Sequence, residues 1–163
     1  MKKKAQSWYI DYIVGFIIFV LGMLIFLQYS PNIIKSDLNE KILDSEILSD
    51  ILISEGVPND WNSTNYFQIG LTNNYVLDLS KLKELKKLDY YELKSSLPIN
   101  SDFYFQFNTN ILLEEGEFVS YGKPGANKNN IKELFNPNQI ISVERFIAHD
   151  GEIIKLELLV WSK

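Results

Sequence analysis

From Tyr12 to Tyr29 no charged side chain interrupts the chain, and apolar residues fall on every face of a helix rather than along one stripe. Those 18 residues reach about 27 Å at about 1.5 Å each, close to the hydrocarbon thickness of a bilayer. A core helix of a soluble protein rarely stays apolar all round for that length, so the pattern predicts a membrane span. Trp8, Tyr9 and Tyr12 at one end and Tyr29 at the other suit side chains that prefer the membrane interface. Lys2, Lys3 and Lys4 precede the span, which predicts a cytoplasmic N-terminus and an extracytoplasmic remainder.

Past the span the periodicity changes. Pro31 either begins a new helical segment or kinks a continuous one. Residues Ile33 to Ile53 are rich in helix formers and meet no Gly or Pro until Gly56 and Pro58. Ile34, Leu38, Ile42, Leu48 and Leu52 form one stripe, and Ile33, Leu43, Ile47 and Ile51 widen it, with Lys41 and Ser45 intruding. So wide an arc predicts a helix covered by its own domain on one side and by neighbouring subunits on the other.

Shorter elements follow. Asn65 to Leu71 and Tyr75 to Leu79 read as two strands around a turn at Thr72-Asn73-Asn74. Ser80 is placed to cap a helix from Lys81 to Leu88, and Asp89 to cap a second from Tyr90 to Ser96, which Pro98 ends. Phe103, Phe105 and Phe107 alternate along a half-buried strand. Ile111 to Leu113 and Glu117 to Tyr121 are weaker strands, Gly122 to Asn130 is an exposed loop, and Asn130 to Phe135 is a single helical turn. Asp150-Gly151 between two apolar runs, Ile140 to Ala148 and Glu152 to Trp161, is a hairpin signal. The expected fold is α+β: a long N-terminal membrane-spanning helix packed on an antiparallel β-sheet with short inserted helices. Its expected segments are a basic leader (1–5), a transmembrane helix (6–30), a helix extension (31–56) and an extracytoplasmic sheet domain (57–163).

Composition narrows the chemistry. The chain of 163 residues carries a formal charge of −5, and without the leader lysines and Asp11 the exported part carries about −7. Such an acidic body argues against nucleic acid as a partner. Cysteine is absent, which removes disulfides, thiol chemistry and Cys-based metal sites. His149 is the single histidine and flanks the expected turn, so a triad or multi-histidine metal site lacks partners. Glu114, Glu115 and Glu117 read as a solvated turn, because no Asp-rich loop with calcium spacing surrounds them. Gly122-Lys-Pro-Gly125 lacks the length and the Ser/Thr of a phosphate loop. No catalytic, cofactor or metal residues are assigned, and no enzyme is expected. In the loop Gly56 to Trp61, Trp61 is expected to plug the core rather than to stand exposed as a contact. Asn62-Ser63-Thr64 is an acceptor string for an N-linked glycan. Gly15 and Gly22, seven residues apart and thus on one helix face, are candidates for helix–helix packing.

The order of the N-terminal signals carries a resemblance. Lys4-Ala5-Gln6-Ser7 precedes the apolar helix, whereas a secretory signal has its small-residue cleavage site behind it. This arrangement resembles the class III signal peptide of archaeal type IV pilins and pilin-like proteins. The resemblance implies cleavage between Ala5 and Gln6 by a prepilin-type peptidase, leaving the helix as the mature N-terminus. Gly56 to Trp61, Ile69 to Leu71, Leu79 to Leu82, Tyr90 to Lys94, Asp102 to Phe105, Ser142 to Phe146 and Leu159 to Trp161 follow in an order similar to archaeal pilin-like ectodomains. The family often has an acid at the fifth mature position. Here that position is Ile10, and Asp11 comes one residue later, turned by about 100°. The resemblance implies a structural subunit of a surface filament, or a minor component of it, that meets other pilin-like subunits through its N-terminal helix. A permanently uncleaved, single-pass surface binding protein is the alternative, and the mature N-terminus separates the two.

Overall fold

A computed structural model of the chain describes the backbone of residues 2–108 and 120–162, and the side chains of 10–28, 38–108 and 120–162. It is α+β. The chain divides into two compact units, Met1–Asn39 and Glu40–Lys163. Helix α1 (Lys2–Ile53) supplies the first unit and also opens the second, and its helical backbone is assigned through Pro31 without a break.

The second unit is built on a six-stranded sheet. Its strands are β1 (Thr72–Asn73), β2 (Val76–Leu77), β3 (Asp102–Phe107), β4 (Ser120–Gly122), β5 (Gln139–His149) and β6 (Glu152–Ser162). The spatial order is β1-β2-β5-β6-β3-β4. All pairings are antiparallel except one: β2 meets β5 in parallel at Val76 and Ala148. The sheet is therefore mixed rather than antiparallel throughout, because the chain returns to β2's side after the β3 crossover. The short helices are α2 (Leu79–Lys87), α3 (Tyr90–Ser96) and α4 (Ile131–Phe135).

The β5–β6 hairpin is its longest element, with eleven paired residues on each strand. Asp150 and Gly151 both take positive φ, +49° and +83°, as a two-residue hairpin turn matched to strand twist requires. The earlier hairpin differs from expectation. Its turn is Asn74-Tyr75, both at positive φ, and Thr72 and Asn73 are strand residues. Residues 65–71 form no strand. Their backbone makes the bridges Val57–Gln68 and Asn62–Asn65, Gly70 O accepts from Trp61 Nε1, and Leu71 N–H donates to Leu52 O at the end of α1.

The inner face of the sheet carries the main core. Phe103, Phe105 and Phe107 of β3 and Ile154, Leu156, Leu158 and Val160 of β6 meet Leu48 and Leu52 of α1, Leu82 and Leu85 of α2, and Leu93 of α3. The strand Asp102–Phe107 is not half-buried as its alternation suggests. Tyr104 points to the opposite face and is also buried, with Leu159, Trp161 and Ile131 of α4. A second small core under α4 explains it. Caps follow the chemistry: Asp89 accepts from Tyr91 and Glu92 N–H at the start of α3, while Asp78, rather than Ser80, caps α2.

Within the second unit the face of α1 turned to the sheet departs from the apolar stripe. Lys41, Asp44, Ser45, Leu48, Ser49 and Leu52 are buried, whereas Ile42 and Leu43 are exposed. Ser45 and Ser49 donate to carbonyls of their own helix and leave little side chain between helix and strands. Asp44 Oδ2 accepts from Asn100 N–H at 3.1 Å and Ser101 N–H at 2.9 Å, which pins the bend entering β3. These bonds turn the helix so that Ile42 moves out. Ile47 and Ile51 pack against the core instead of facing outward, and Leu43 alone of the expected outer patch stands fully open among the described side chains. Ile33 and Ile34 lie outside the described side chains.

Candidate functional site

The first unit offers one feature, and it is physical rather than catalytic. Ile10–Gln28 of α1, 19 residues, is long and apolar enough to cross a membrane, and none of it is buried against the rest of the chain. Tyr12, Phe16, Ile18, Phe19 and Phe26 are all more than half exposed. Gly15 and Gly22 sit in this stretch, and a Cβ built on either meets nothing within 4 Å. Ala5 and Gln6 belong to the helical backbone of α1, and their side chains lie outside the described ones.

In the second unit the most elaborate polar arrangement surrounds Lys81, which sequence reasoning read only as the first residue of a short helix. Its side chain is 3% exposed. Nζ donates to Glu55 O at 2.7 Å, Thr72 O at 2.9 Å, Asn73 Oδ1 at 2.7 Å and Asn59 Oδ1 at 3.2 Å. One ammonium therefore joins the end of α1, the loop after it, and the β1–β2 hairpin to α2. Burial pushes the Lys81 ammonium below the usual lysine range, against the opposing pull of Asp78, Glu55 and Asp60. Burial would raise the neighbouring Asp78 carboxyl, but the Ser80 hydroxyl and backbone N–H bind it and hold it below the ordinary value. Asn73 Nδ2 donates to Asp78 Oδ2 at 2.7 Å and closes the ring. A polar pocket of about 400 Å³ opens over Asn59, Asp60, Asn74 and Ser80. With its N–H donors engaged by four oxygens, the Lys81 amine is held in one position.

The loop before it is set by two glycines. Trp61 is 2% exposed and donates from Nε1 to Gly70 O at 2.7 Å, so it plugs the core as expected. Gly56 has φ +80°, and a Cβ there would come within 2.5 Å of the Trp61 ring. A Cβ on Gly70 would fall 2.3 Å from Gly56 N. Beside this loop Asn62 Oδ1 accepts from Thr64 N–H, the Thr64 hydroxyl and Asn65 N–H in a tight polar turn, with Thr64 and Asn65 exposed.

A second charged cluster gathers on Asp102 at the start of β3. Lys94 Nζ and Lys123 Nζ each lie 2.5 Å from one of its oxygens, and the Tyr90 hydroxyl donates to it at 3.1 Å. Burial works to raise the Asp102 carboxyl, but the two lysines outweigh it and hold it below the usual range. Burial pushes the Tyr90 phenol well above its usual range, so it stays a neutral donor.

The remaining sequence candidates stay apart. His149 Nε2 lies 3.6 Å from Oδ2 of its chain neighbour Asp150, the first residue of the hairpin turn. Glu114, Glu115 and Glu117 lie outside the described residues, and so do the expected strand Ile111 to Leu113 and the start of the one at Glu117. Among the described residues no group of three His, Cys, Asp or Glu side chains is placed to hold a metal ion. No family model, curated protein or solved structure matches this chain.

Proposed function

We propose that this chain is a membrane-anchored, pilin-like structural subunit of an archaeal-type surface filament, or a minor component of one. In this reading a prepilin-type peptidase cuts between Ala5 and Gln6. The apolar helix then holds the subunit in the bilayer or in a bundle of such helices, with the sheet body outside. The observation that carries the reading is the bare stretch Ile10–Gln28, whose apolar side chains have no cover within the chain. Leaving so much apolar surface in water is costly, so lipid or other helices must supply the cover. The basic residues and Ala5-Gln6 ahead of it, rather than behind, favour the filament over a plain anchor.

The test is the N-terminus of the membrane-extracted protein. Intact mass and N-terminal sequencing should find Gln6 first in the wild type, and Ala5→Leu should leave Met1 in place and a chain five residues longer. Met1 in both would replace the filament reading with the uncleaved anchor.

A further inference from the structure

We infer that β5 carries a docking edge for a second copy of this chain, and that the two β5 strands pair antiparallel about a two-fold axis through Val143. The edge follows from the ladder. A two-residue turn places His149 and Glu152 as a hydrogen-bonded pair, so the odd residues of β5 bond to β6. The even residues point the other way, as Ala148 N–H shows by donating to Tyr75 O. Ile140, Ser142, Glu144 and Phe146 therefore present their N–H and C=O groups along an open edge, and among the described residues nothing bonds to them.

Edge strands are usually blunted by charged side chains, above all lysine, by proline or by a bulge. β5 has no proline, lysine or bulge over its eleven residues, its two charges, Glu144 and Arg145, are paired within the chain with Lys155 and Asp50, and its register with β6 runs unbroken. The open window extends from Gln139, where the strand begins, to Ile147, beyond which β2 occupies the edge at Ala148. Its midpoint is Val143.

The side chains select the same register. Centred on Val143, Ile140 stands opposite the partner's Phe146, which is 68% exposed in the single chain. Ser142 stands opposite Glu144, and Ile141 opposite Arg145. Centring the pair on 144 sets Glu144 against itself, and centring on 145 does the same with Arg145, each a like-charge pair directly opposite. Centring on 142 runs Phe146 onto Asn138, ahead of the strand.

Absence of cysteine gives a clean test on the full chain in detergent. Val143 is a non-hydrogen-bonded position, where facing Cα atoms lie about 4.5 Å apart, within disulfide range. Val143→Cys should form a disulfide dimer on mild oxidation. Chains with Ser142→Cys should cross-link to chains with Glu144→Cys in preference to themselves. Ser142→Pro removes an N–H that the sheet does not use, so the variant should keep its fold by circular dichroism and lose the Val143→Cys dimer. Phe146→Lys, at an exposed position, should do the same and serves if the proline unfolds the body. A Val143→Cys chain that stays monomeric, or a dimer that survives in folded edge variants, overturns the proposal.

Discussion

The two described stretches of α1 invert each other. In Ile10–Gln28 the apolar side chains are exposed and nothing in the chain covers them. In Glu40–Ile53 the sheet-facing positions include Lys41, Asp44, Ser45 and Ser49, all buried, while Ile42 and Leu43 face out. Two surroundings acting on one continuous helix account for the contrast. In the first stretch hydrophobicity is the whole signal, because no contact within the chain constrains those positions. In the second, small hydroxyls allow close approach and one carboxylate satisfies backbone donors that would otherwise be buried unpaired. Apolar periodicity therefore identifies the first stretch and misplaces the contact face of the second.

Breaking the packed stretch should have the largest effect. Leu48→Ala, at a position with no exposure, is expected to lower the stability of the body by about 2–5 kcal/mol. Leu24→Ala in the bare stretch should leave the body's denaturation midpoint in detergent unchanged. Equal losses would mean that the bare stretch packs on the body after all.

Next in size is a charge in the bare stretch. Phe19→Lys, 67% exposed in the chain, would be harmless in water but should cost about 2.5–3.5 kcal/mol in a membrane. Fractionation should move protein from the membrane pellet to the supernatant. The same change at Leu43, exposed in the other stretch, should leave membrane retention unaltered.

The Asp102 cluster gives a pH readout confined to the body. Its carboxyl is held below the ordinary value, so its contribution is present above about pH 4, the unfolded value. It is lost as pH falls through the depressed folded value. Asp102→Asn should therefore cost about 1.5–3 kcal/mol at neutral pH and flatten the decline of stability in acid, as measured by urea midpoints from pH 7 to pH 3. An unchanged acid slope would assign the acid sensitivity to other carboxylates.

How much of this was legible depends on the range of the interactions. The Asp150-Gly151 hairpin, the Phe103–Phe107 strand and the Asp89 cap are local devices, and each stands where its residues predict. The first hairpin misled because Tyr75 takes a positive φ, which large side chains rarely do. Lys81 misled because its acceptors come from Glu55, Asn59, Thr72 and Asn73, and no local pattern reveals that convergence. Asp44 has the same cause: its partners are more than fifty residues away. A lysine at the start of a helix that follows an Asn-rich hairpin was the one available hint.

Lys81 also bears on the surroundings this body tolerates. Two main-chain carbonyls and two amide oxygens around one positive centre form the ligand sphere an alkali ion would meet. Here the ion is tethered by its own carbon chain, so its local concentration is fixed by the fold and does not change on dilution. Chelators, dialysis and swings in external salt have nothing to remove from that junction. A loop, a hairpin and two helices are thus joined by a counter-charge that the environment cannot exchange.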